Sequence, residues 1–236
     1  MNKNIFILAA LLMTAQSYAA ALQVSPTTVN FKSNDKATPL WLSNTGTESL
    51  KGQVRIYQWE QHQNGESLTD TQELVASPPI VDIPPGGKQL VRLVRMNHNL
   101  VNNEQSFRVI VDELPKLDSP QQAGINFLLR YSVPVFIEGQ KSNVLSNVAN
   151  VSFDVAQSGN HLLLTAKNSQ TTHVKLSGLR YVGLDGKQTD LYPGLMGYVL
   201  PEGQNQWNIK QVKKGGYFEA VVNDGKTPEK LFTWSS

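Results

Sequence analysis

Catalysis or metal binding needs nucleophiles, ligands or paired acids at workable spacings, and this chain brings few of them together. Its four histidines, His62, His98, His161 and His173, share no His-x-x-His or His-x-x-x-His spacing, so no metal site is expected. There is no cysteine, which removes thiol nucleophiles and thiolate ligands. Asp112 and Glu113 are adjacent, and on a strand they point to opposite faces, where they cannot share a proton-transfer task. No Gly-x-Ser-x-Gly elbow, phosphate-binding glycine loop or dinucleotide fingerprint occurs. Trp41, Trp59, Trp207 and Trp234 could stack on sugars, but packing in a core or between domains is the commoner role of tryptophan in a sandwich. Neither an enzyme nor a cofactor is expected.

The chemistry that remains is that of the backbone. In Gly124–Gly139, Ile125, Phe127, Leu129, Tyr131, Val133, Val135 and Ile137 put an apolar residue at every odd position. A strand has a side-chain period of two, so all seven share one face. The run over 125–137 is about twice the usual strand length of roughly 5–6 residues. Pro134 has no N–H to donate and is normally found at a sheet edge or bulge. A long apolar edge attracts other chains, which makes it a pairing site by design or an aggregation liability. A core strand spanning both sheets of a sandwich would carry the same alternation, so the pattern alone leaves both readings open.

Residues 1–19 have the form of a signal peptide: Lys3, an apolar stretch from Ile5 to Met13, and Ser17-Tyr18-Ala19 as a small-x-small cleavage site. Its removal would leave about 217 of the 236 residues and lower the net charge from +2 to about +1. Near-neutral charge argues against nucleic acid or an anionic membrane as a partner, and no segment reaches the roughly 18 apolar residues of a membrane span. With no disulfide to staple it, an exported chain of this size must rest on its core.

Turn signals recur at short intervals: Asn44-Thr45-Gly46, Asn64-Gly65, Pro84-Pro85-Gly86-Gly87, Asp185-Gly186 and Asp224-Gly225. Between them lie alternating segments such as Leu40/Leu42 and Phe107/Val109/Val111. That rhythm predicts an all-β sandwich or barrel architecture. The two Asp-Gly pairs suit two-residue hairpins. Strands are predicted over 22–31, 39–44, 50–60, 72–82, 88–96, 105–114 and 125–137. The polar stretch Glu138–Asn143 marks a boundary between domains over 20–138 and 143–236.

An ordered set of segments then carries a resemblance. Pro26-Thr27-Thr28-Val29-Asn30-Phe31 is followed by Leu42-Ser43-Asn44-Thr45-Gly46, Ile83-Pro84-Pro85-Gly86, Leu90–Arg95, Phe107–Pro115 and the alternating strand. The first domain thereby resembles the periplasmic chaperones of chaperone–usher pili. The resemblance implies two immunoglobulin-like β-sandwich domains in a boomerang arrangement. It also implies donor-strand complementation, in which the chaperone's seventh strand fills the groove of an incomplete pilin subunit and an outer-membrane usher receives the complex. Ile125, Phe127, Leu129 and Tyr131 are then the groove-filling side chains. A free chaperone with such an edge is expected to cap itself in an oligomer. An exported adhesin, pilus structural protein or carbohydrate-binding module is the alternative, although a pilin would not carry its long apolar strand in mid-chain.

In the better-known branch of the family, an arginine on the first strand and a lysine on the seventh hold the subunit's terminal carboxylate. Here Thr28 stands in the arginine's place, and Ser132 or Pro134 in the lysine's. The departures resemble the archaic branch, with the carboxylate held by other cations. Arg130, on the opposite strand face from Phe127 and Leu129, and Arg92 and Arg95 of the fifth strand are the candidates. Each could equally be a solvated surface arginine.

Overall fold

The computed structural model describes residues 21–63, 65–97, 101–115, 127–140 and 148–235. Among these residues ten strands lie in the first half: β1 (Leu22–Ser25), β2 (Val29–Phe31), β3 (Ala37–Asn44), β4 (Leu50–His62), β5 (Gly65–Asp70), β6 (Leu74–Ser77), β7 (Ile80–Ile83), β8 (Lys88–Arg95), β9 (Gln105–Leu114) and β10 (Arg130–Ile137). Seven form the second: β11 (Val151–Ser158), β12 (His161–Asn168), β13 (Val174–Val182), β14 (Gln188–Val199), β15 (Gln204–Ile209), β16 (Tyr217–Val222) and β17 (Glu229–Thr233). Among the described residues the one helical segment is a 3₁₀ turn at Val148–Asn150.

Each half is a pair of sheets. In the first, β1-β3-β8-β6 faces β2-β10-β9-β4-β5, with β7 pairing β4 beside it. In the second, β11-β12-β15 faces β14-β13-β16-β17. The fold is all-β, as the turn rhythm predicts. Alternation places the cores: Leu40 and Leu42 on β3, Val91 and Leu93 on β8, and Phe107, Val109 and Val111 on β9 are each fully shielded from solvent. Losing the Phe107 ring to Ala would cost about 3–5 kcal/mol. In the second core, Leu162, Leu164, Trp207 and Phe218 do the same work.

Proline divides two of the predicted strands. Segment 22–31 becomes β1 and β2 around Pro26, and 72–82 becomes β6 and β7 around Pro78, because neither proline can donate a ladder hydrogen bond. At Asn44 the polar turn is itself part of the core. The buried side chain donates to Ile83 O at 2.9 Å and Glu48 O at 2.7 Å, and accepts from Gly46 N at 2.9 Å.

The long alternating strand needs correction. Its ladder starts at Arg130, not at 125; Phe127, Leu128 and Leu129 are described but lie ahead of the strand, and Ile125 lies outside the described residues. Nor is it an edge throughout. Val135, Phe136 and Ile137 pair in parallel with Val29, Asn30 and Phe31 of β2, so the C-terminal part of β10 is interior.

Candidate functional site: an open strand edge beside an interdomain cleft

The Pro26 break opens the site. Before it, Leu22–Ser25 pairs with β3 in one sheet; after it, Val29–Phe31 pairs with β10 in the other. The crossing leaves Arg130–Pro134 bonded to β9 on one side and, among the described residues, to no strand on the other. Backbone donors and acceptors along such an edge accept an added strand.

Side chains around this edge change environment step by step. Val133, Val135 and Ile137 are buried in the first core, while Leu129 and Tyr131 pack half-buried against it. The Tyr131 hydroxyl donates to Leu22 O at 2.6 Å. Phe127 is 81% exposed and Leu128 53%. Two large apolar side chains thus stand in solvent directly before an unpaired strand edge.

The opposite face of the same sheet meets the second half of the chain. Trp59 (β4), Phe136 (β10), Tyr198 (β14) and Leu200 form a small buried cluster of their own. His173 stacks on Phe136 with ring centroids 3.6 Å apart, and accepts or donates at Nδ1 to Glu104 at 2.7 Å. Gln61 bridges the halves, donating to Tyr198 O at 2.9 Å and accepting from Leu200 N at 2.8 Å. Beside this contact lies a polar cleft pocket of about 250 Å³, lined by Thr28 and Asn30 from the first half and His173, Lys175, Tyr198, Asn223 and Asp224 from the second.

A family model for the N-terminal domain of PapD-type pili and flagellar-assembly chaperones matches residues 21–142. The chain belongs to that family. The chaperone is similar to the solved chaperone–tip subunit pre-assembly complex CsuC–CsuE of archaic Csu pili from Acinetobacter baumannii, at 28% identity, over 89% of this chain and 97% of that one, with a TM-score of 0.69. Two further structures share the fold: the SafB chaperone solved with the SafA pilin of Salmonella enterica (14% identity, 91% and 97% coverage, TM-score 0.63) and the CupB2 chaperone of Pseudomonas aeruginosa (16%, 88% and 97%, 0.59). Comparison with curated protein sequences finds no match. The two sandwiches are therefore immunoglobulin-like, and the protein is a pilus-assembly chaperone by family.

The three arginines singled out from sequence do not converge. Arg92 is exposed on β8, in the sheet that does not contain β10. Arg95 is 4% exposed, and its guanidinium donates to Ser33 O at 2.7 Å, holding the β2–β3 loop. Arg130 bonds through Nε to Asp112, whose other oxygen accepts from Arg55 Nη2 at 2.6 Å.

Sequence reasoning missed Arg108 and Lys175. Arg108 (β9) lays its guanidinium over the Trp59 ring, 3.6 Å from the centroid, with the Tyr198 ring 5.9 Å away. Among the described residues its guanidinium makes no hydrogen bond, and burial pushes its pKa down from the ordinary arginine value against the opposing pull of the Glu66 charge. Parity with Phe107 and Val109 was enough to put Arg108 on the cleft face; its desolvation depends on the second domain. Lys175 enters the cleft pocket with Nζ 2.6 Å from Asp224 Oδ1. No group of three metal-ligating side chains occurs among the described residues.

Proposed function

We propose that the chaperone captures incomplete pilin subunits in the periplasm by donor-strand complementation and delivers them to an outer-membrane usher. The observation that carries this reading is the unpaired edge Arg130–Pro134 with Phe127 exposed immediately before it. The subunit's last strand would add to that edge through backbone hydrogen bonds. Phe127, with Ile125 by its alternation, would enter the subunit groove, and Leu129 and Tyr131 would bridge the two cores. Each large side chain buried there is worth roughly 1.5–3 kcal/mol before ordering costs.

The open edge ends at Pro134, where β2 joins β10, and Thr28 stands one residue before β2. A strand added along the edge and parallel to β10 would therefore bring its C-terminal carboxylate toward the cleft. A desolvated carboxylate needs a cation. Arg108 suits that role better than Arg92 and Arg95, which are placed elsewhere, and better than Arg130, which Asp112 already holds. Lys175 lines the cleft pocket but is paired with Asp224 at 2.6 Å and would have to exchange that partner for the subunit carboxylate. The likeness to the archaic Csu complex and the uncharged Thr28 support assignment to the archaic branch.

The test is co-purification of a co-expressed subunit. Replacing Phe127 and Leu129 together by Ser should abolish it while the chaperone stays folded; retention at the unmodified yield would overturn donor-strand capture.

A further inference from the structure

The Asp112 carboxylate is taken at both oxygens by guanidinia from the two flanking strands. Arg130 Nε of β10 donates to Oδ1, and Arg55 Nη2 of β4 donates to Oδ2 at 2.6 Å. Asp112 and Arg130 sit directly opposite each other in the ladder, as do Asp112 and Gln53 on the other side. The Asp112 side chain is 12% exposed, whereas Arg130 is 67% and Arg55 42% exposed. A single desolvated carboxylate therefore straps three neighbouring strands together.

Its position along β10 gives the strap its meaning. Arg130 is the first ladder residue. On the opposite face the next residue is pinned too, since Tyr131 bonds Leu22 O. Ahead of Arg130 only Leu129 is still held, its O accepting from Glu113 N at 2.9 Å and its N reaching Glu113 Oε2 at 3.4 Å; Phe127 and Leu128 lie open to solvent. Charge-assisted bonds are roughly twice as strong as neutral ones, so strand peeling should stop at such a bond.

We infer that Asp112 and Arg55 are positioning residues for capture. Through Arg130 they fix the point at which the lent strand leaves the chaperone's sheet, and so the register in which Phe127 is offered. The role rests on the donor-strand reading, because a register matters only if the strand is lent. Without the strap, the ladder from Arg130 to Val133 frays, and each encounter with a subunit must first reorder it. The folded sandwiches are held by their cores and stay intact.

Two measurements on the full chaperone separate this from a purely structural role. The first is amide hydrogen exchange of the free protein. In Asp112→Asn and in Arg55→Gln, protection at the Tyr131 and Val133 amides, which face β9, should fall about tenfold, with β3 and β8 unchanged. The second is the association rate with a purified immunoglobulin-like pilin lacking its N-terminal extension, which should also drop about tenfold. Asp112→Glu, which keeps both carboxylate oxygens, should recover most of both. Unchanged exchange overturns the strap, and lowered protection with an unchanged association rate overturns its role in capture. If the Phe127→Ser/Leu129→Ser variant captures this pilin normally, the donor-strand reading falls and the role in capture falls with it, whatever the exchange data show.

Discussion

Gln61 joins Leu200 across the domain boundary as one strand joins another: the side-chain Oε1 accepts from Leu200 N at 2.8 Å, and Nε2 returns to Tyr198 O at 2.9 Å. Gln61 is 6% exposed, so these bonds are made away from water. Replacing it with Ala strands the buried Leu200 N–H, at about 1–3 kcal/mol, while Tyr198 O keeps Asn205 Nδ2 at 3.1 Å. Gln61→Ala should lower the denaturation midpoint and broaden the interdomain distance distribution seen by small-angle scattering. Unchanged values of both would remove Gln61 from the interface's energetics.

Arg108 leads to a prediction that separates stability from binding. The desolvation of the Arg108 guanidinium is offset in the free chaperone only by its stack on Trp59 and the attraction of Glu66, so Arg108→Met should change thermal stability little. Subunit capture should weaken by roughly 2–5 kcal/mol, because the incoming carboxylate would lose its buried partner. Arg92→Ala, on the sheet that lacks β10, should be silent in the same titration. Equal losses for the two variants would contradict the cleft assignment.

Asp112 sets a pH dependence. Burial alone would raise its pKa, but the hydrogen bonds from Arg130 and then Arg55 outweigh burial and hold the carboxyl below the ordinary carboxylate range. A depressed folded pKa means that the strap's contribution is complete above the unfolded value of about 3.9 and is lost as pH falls through the folded one. Protection at the Tyr131 and Val133 amides, corrected for intrinsic exchange, should be flat from about pH 8 to pH 5 and fall only in stronger acid. In Asp112→Asn that acid-dependent loss should vanish.

Much of the fold was legible because the sandwich uses alternation honestly: Leu40/Leu42, Phe107/Val109/Val111 and Leu162/Leu164 all face their cores. Turns were read less finely. The connection between β16 and β17 spans residues 223–228 and is no two-residue hairpin; it opens on a turn with positive φ at Asn223 (49°) and Asp224 (59°), Gly225 N bonding Val222 O. Asp185-Gly186 lies in a longer loop, since the ladder closes at Val182 opposite Gln188. The divided character of β10 was not legible locally, because its interior part is created by Val29–Phe31, far away in sequence. The cleft cations were hidden for the same reason: Arg108 looks like any outward arginine until Tyr198 packs beside its Trp59 stack.

Site-specific photo-crosslinking from position 127 tests the central claim most directly. With Phe127 replaced by benzoylphenylalanine, irradiation of the chaperone–subunit complex should give one dominant crosslink, to apolar residues lining the subunit's open groove. The same label at Leu184, which is 86% exposed on the β13–β14 loop of the other domain, should give none. A crosslink from 127 to the subunit's outer surface, or no crosslink in a complex that still forms, would contradict the lending of this strand.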